Sequence, residues 1–122
     1  MLTADGCLKR RERLWQSLTT KPDWIVLSEP QHLIYFANFA TSPFTYAIQN
    51  ASAVLLLGAE GTSILVVDNL QVEFTANACV DRVEIATWYN GRETAPYRTA
   101  CITNKAREVL QSCKGSSFGY EP

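Results

Sequence analysis

The chain has 122 residues, 47% apolar and 19% charged, with a formal net charge of −1. That length suits a single domain that buries one core without covalent staples. A near-neutral balance argues against nucleic acid or an anionic membrane as partner, and no apolar run approaches the length of a membrane span.

The N-terminus carries charges where a signal peptide would be apolar, so the cytoplasm is the expected compartment. Cys7, Cys79, Cys101 and Cys113 form no C-x-x-C pair and lie far apart, which predicts reduced, packed thiols. The single histidine, His32, leaves no histidine-rich metal constellation.

In chain order, the first expected element is a helix from about Asp5 to Leu18. Asp5 is a suitable N-cap, and Cys7, Leu8, Leu14, Trp15 and Leu18 recur at helical spacing. The basic run Lys9-Arg10-Arg11, with Glu12 beside it, reads as a solvated helix face rather than a nucleic-acid patch.

Trp24-Ile25-Val26-Leu27 is a short unbroken apolar run, as expected of a strand buried on both faces. Ser28-Glu29-Pro30 ends that strand, and Pro30 suits the first position of a short helix through Phe36. Ala40 to Ser52 has no clear periodicity. Ala53 to Leu57 and Ile64 to Val67 are two apolar runs joined by a glycine-flanked loop, the pattern of an antiparallel hairpin. Neither run alternates strictly, so both sides of the sheet should be covered.

Asp68 is expected to cap a helix reaching about Ala78, using Leu70, Phe74 and Ala78 or their neighbours as its buried face. Arg82 to Ala86 alternates, as a strand near a sheet edge does. Trp88-Tyr89-Asn90-Gly91 reads as a turn. A longer helix is expected from about Ala95 to Cys113, with Tyr97, Cys101 or Ile102, Ala106, Val109, Leu110 and Cys113 as its apolar stripe and Gly115 as its left-handed cap. Ser117 to Tyr120 looks like the start of a last strand. The sum is one α/β domain over residues 1–122, three layers deep, with a mixed β-sheet, an antiparallel hairpin and helices on both faces.

The order of these segments resembles the N-terminal domain of the creatinase, aminopeptidase P and prolidase family. The residues that carry the likeness are the D-W-I-V-L strand, E-P-Q-H-L-I-Y-F-A-N-F, the hairpin V-L-L-L-G-A-E-G-T-S-I-L-V-V-D, then E-I-A-T-W and a long helix. A strand ending in a polar residue plus proline is followed in that family by a Y-x-x-G-F signature. Here it reads Tyr35-Phe36-Ala37-Asn38-Phe39, with Asn38 where glycine is usual. Asparagine tolerates the left-handed region best among non-glycine residues.

The resemblance implies a metal-dependent Xaa-Pro peptidase or creatinase-like hydrolase whose catalytic "pita-bread" domain lies C-terminal to this one. Two Asp, one His and two Glu there would bind two divalent ions, manganese, cobalt or zinc. The implied partners of residues 1–122 are that catalytic domain and, in the full-length protein, a second copy in a homodimer. No cofactor and no catalytic or metal-binding residue is expected within the chain itself. The role implied is dimer assembly and a share in the wall of the active-site cleft. A stand-alone peptide- or protein-binding module is the alternative, because non-enzymatic relatives such as the large subunit of the FACT histone chaperone share the architecture.

The residues place candidates for contact in two stretches. His32, ahead of the aromatic cluster, and Phe44, Tyr46 and Asn50, in the aperiodic loop, are candidates for the substrate cleft, since loops on rigid scaffolds carry binding residues. In creatinase-like relatives this loop offers an aromatic and an arginine to the substrate. No arginine occurs between Phe39 and Ala53, so a creatine-like substrate is not expected. Trp88, Tyr89 and Arg92 are candidates for an interface patch, with a tryptophan-anchored surface loop as the plainer account.

Overall fold

A computed structural model of the chain describes residues 2–40, 53–92, 97–115 and 117–121. The apolar runs pair as their composition suggests. Strands β1 (Trp24–Leu27), β2 (Val54–Gly58) and β3 (Ser63–Asp68) lie side by side, each antiparallel to its neighbour. At the edges, β4 (Arg82–Ala86) runs parallel to β3 and β5 (Phe118–Tyr120) parallel to β1, giving the order β4-β3-β2-β1-β5. The alternation in β4 therefore marks an edge strand, as expected.

The strands lack polar alternation because both faces of the sheet are covered. Ile25, Leu27, Leu55, Leu57, Leu65 and Val67 point into one core. Trp24, Leu56, Ile64 and Val66 point into the other. Helices α1 (Ala4–Ser17) and α2 (Pro30–Ala37) lie over the first core, and α3 (Arg98–Ser112) lies over the second through Ile102, Ala106 and Val109. The result is a single three-layer α/β unit with a mixed sheet.

Local chemistry sets the ends of α2. Pro30 opens it, where the missing N–H costs nothing. Asn38 ends it in the left-handed region at φ 51°, and its N–H closes back on Leu33 and Ile34. The Asn38 side chain fixes this bend, accepting from Leu2 N at 3.2 Å and donating to Asn77 O at 3.2 Å. In the β2–β3 hairpin, the bend falls at Gly61 with φ 98°.

Several expectations need correction. Thr3, not Asp5, is the N-cap of α1, its hydroxyl accepting from Gly6 N at 3.0 Å, while Asp5 sits in the first turn. Leu8 is exposed, whereas Arg11 is buried. The basic run is not a solvated face at Arg10 and Arg11. Arg10 Nε donates to Tyr35 O at 2.5 Å and Arg11 Nε to Phe36 O at 2.8 Å. These are last-turn carbonyls of α2, which have no helical donor and lie at the negative end of its dipole. Two guanidinium groups of α1 thus cap α2, and Arg10 also lies over the Tyr35 ring at 5.1 Å.

The helix expected after Asp68 is only a 3-10 turn, Val72–Thr75, with Leu70 exposed. Asp68 is the last residue of β3, and its carboxylate is committed to Leu70, Gln71 and Arg98. Helix α3 begins at Arg98, with Tyr97 as its exposed N-cap rather than part of the buried stripe. It ends on the extended residue Cys113, and Gly115, at φ 112°, turns the chain two residues later.

Candidate functional site

The parallel pairing of β1 with β5 brings two strand ends together at the start of α2. Register Val26↔Tyr120 places Glu121 next to the β1–α2 junction. One carboxylate oxygen of Glu121 accepts from Ser28 N at 2.8 Å, Glu29 N at 3.0 Å and Ser28 Oγ at 3.2 Å. The other meets His32 Nδ1, which carries the proton in this contact because an ionised carboxylate only accepts. Pro30 supplies no N–H, so the donors come from the two residues before it and from an imidazole on the first turn after it.

The cradle suits a carboxylate for reasons beyond the bond count. It sits at the positive end of α2's dipole, outside the carboxyl ends of adjacent parallel strands, where α/β sheets bind ligands. Burial pushes the Glu121 carboxyl up, but the hydrogen bonds from His32, Ser28 and Glu29 outweigh it. The group ends below its ordinary value.

A groove of about 790 Å³ runs beside this cradle. It exists because α3 packs over β2, β3 and β4 and leaves the β1–β5 side of that face open. Val26, Val54, Leu110 and Phe118 line it together with Ser28 and Tyr120, and Thr103, Arg107 and Gln111 of α3 give it polar groups. An apolar trough with a few polar positions has the composition of a peptide- or small-molecule site.

A second polar cluster is buried at the start of α3, against the end of β3. Asp68 and Arg98 form an ion pair with side chains 0% and 2% exposed. Gln71 Nε2 donates to Asp68 Oδ2 at 2.8 Å and Leu70 N to Asp68 Oδ1 at 2.9 Å. The Arg98 guanidinium lies 4.5 Å from the centroid of the Trp88 ring. This cluster ties α3, β3 and the loop after β4 together.

Of the residues singled out in the sequence, His32 belongs to the cradle. Trp88 lies against Arg98, and Tyr89 is exposed beside it, their rings 6.4 Å apart. Asn69 holds their loop, its Oδ1 accepting from Trp88 N at 2.8 Å and Tyr89 N at 3.3 Å. Arg92 is exposed at its end. Phe44, Tyr46 and Asn50 lie outside the described residues. Sequence reasoning missed Glu121, Arg98 and Arg11. A signal for Arg98 existed, since an aspartate ending a wholly apolar strand needs a cation when buried.

Among the described residues, no three His, Cys, Asp or Glu side chains converge to hold a metal ion. No helix among them is long and apolar enough to cross a membrane. No protein-family model matches the chain, and no curated protein matches it.

Proposed function

We propose that this chain is a non-catalytic N-terminal domain of a metal-dependent Xaa-Pro peptidase or creatinase-like hydrolase. Its work is to pack against the catalytic domain in a dimer and to form part of the active-site wall. The observation that carries this reading is the left-handed backbone at Asn38, φ 51°. It falls at the signature position where the family has glycine, directly after a strand, a proline and a short helix. The antiparallel hairpin and covered mixed sheet support the same reading. The two divalent ions belong to the catalytic domain, and the substrate is a proline-containing peptide.

A second reading is favoured by the open groove beside the Ser28–His32 cradle. A stand-alone module would bind an extended peptide there without cleaving it.

Hydrolysis of a glycyl-proline dipeptide, with manganese, cobalt or zinc supplied, separates these readings. The protein expressed from its complete gene should turn over the dipeptide, and residues 1–122 alone should not. Turnover by residues 1–122, or an inert complete protein, refutes the domain assignment. An inert complete protein that still retains a proline peptide supports the binding module.

A further inference from the structure

The two edges of the sheet differ in chemistry. β4 carries Arg82 and Glu84, whose side chains pair at 2.9 Å, and charge on an edge strand discourages further pairing. β5 is Phe118-Gly119-Tyr120, without charge, and the sheet order ends there among the described residues.

The register of β5 sets which of its backbone groups face outward. Trp24 N donates to Ser117 O at 3.1 Å, and Trp24 is paired with Phe118. Successive residues of a strand turn their N–H and C=O to opposite sides, so Ser117 and Gly119 address β1. Phe118 and Tyr120 therefore turn theirs outward, where no described strand meets them. Their side chains line the groove, while Gly119 faces Pro22 on the other side. Tyr120 is 69% exposed and Phe118 36%.

The groove also has a sign. Arg107 is the one charged residue among those described along it, and no described ion pair includes it. An open strand edge, an apolar trough and an unpaired guanidinium together fit an extended chain that brings a carboxylate.

We propose that the outer edge of β5 accepts an extended acidic peptide as a further strand, with an apolar side chain in the groove and a carboxylate at Arg107. The inference rests on the reading in which the groove takes a peptide, and adds the edge, the charge and the spacing. Side chains of an extended chain alternate, so the two groove-facing positions lie two residues apart. The apolar one meets the wall made by Val26, Leu110 and Phe118, and the acidic one meets the guanidinium. Main-chain hydrogen bonds to Phe118 and Tyr120 give affinity for any extended chain. Arg107 gives the preference for an acidic one.

The test uses the purified chain and a fluorescein-labelled, end-capped peptide, S-T-V-T-E-T-S, followed by anisotropy and by amide NMR shifts. Binding should move the amides of Phe118 and Tyr120. Replacing the peptide's glutamate with lysine should weaken binding by about fivefold or more. Arg107→Glu, at an exposed position of α3, should reverse that preference. N-methylation at valine and glutamate, or instead at the threonines, removes alternate N–H groups of the peptide. One of these two sets should abolish binding and the other should retain it. Both sets retained, both lost, or unmoved amides at Phe118 and Tyr120 overturn the proposal. So does an Arg107→Glu chain that still prefers glutamate. Peptide that moves the Val26 and Leu110 amides without the edge signature spares the peptide reading of the groove. No binding at all overturns both. Turnover by the complete protein is independent of every one of these outcomes.

Discussion

Asp68→Ala removes the only carboxylate that meets Arg98 in the described ion pairs, and leaves that guanidinium buried. The side chains are 0% and 2% exposed, so water does not reach in to replace the lost partner. Breaking a buried pair from one side costs about 3–5 kcal/mol. Gln71 Nε2 and Leu70 N lose their acceptor at the same time. Against a total of about 5–15 kcal/mol for an ordinary domain, this is a large fraction. At about 4 °C per kcal/mol for a domain of this size, Tm should fall by about 12–20 °C. Urea denaturation followed by far-UV circular dichroism measures the lost stability, with the slope of the transition unchanged, and a thermal melt reads the Tm. The double variant Asp68→Leu with Arg98→Met should recover most of the loss, because apolar groups of similar volume often replace a buried pair without cost. A loss below about 1 kcal/mol in Asp68→Ala, or a double variant no better than the single, would refute the reasoning.

Other expectations follow from the same contacts. Glu121 has a folded-state pKa below its ordinary value, so its contribution is present above the unfolded carboxyl range and lost as pH falls through the folded value. Glu121→Gln should therefore cost about 1 kcal/mol near neutral pH and almost nothing in strong acid, read from paired urea titrations. Gly115→Ala meets both a φ of 112° and Asp23 Cβ at 2.6 Å, and should cost about 1–3 kcal/mol by thermal melt. If the proposed function holds, Phe44→Ala in the complete protein should change the kcat/KM ratio between dipeptides more than it changes Tm. A large fall in Tm with unchanged kinetics would return Phe44 to the core.

The strands were legible because a sheet covered on both sides leaves one simple mark, a short apolar run without alternation. β1, β2 and β3 show it in Trp24–Leu27, Val54–Gly58 and Ser63–Asp68. Pro30 and Asn38 mark the ends of α2 for equally local reasons, a missing N–H and tolerance of a positive φ. The polar architecture was harder to see. Arg11 looks like its neighbours Lys9 and Arg10 until α2 places bare carbonyls beside it. Arg98 and Asp68 are separated by thirty residues, and Glu121 and His32 by eighty-nine, so no periodicity joins them. The segment after β3 reads as a helix because Asp68 has the local look of an N-cap, yet it forms only a short 3-10 turn and that carboxylate answers to a distant cation.

The central claim is that this domain assembles and shapes a larger hydrolase. Its most direct test compares the complete protein with the same protein lacking residues 1–122, by light scattering and by kcat/KM on two proline dipeptides. The account predicts loss of the dimer and a changed ratio between the two substrates. An intact dimer with the ratio unchanged would contradict it.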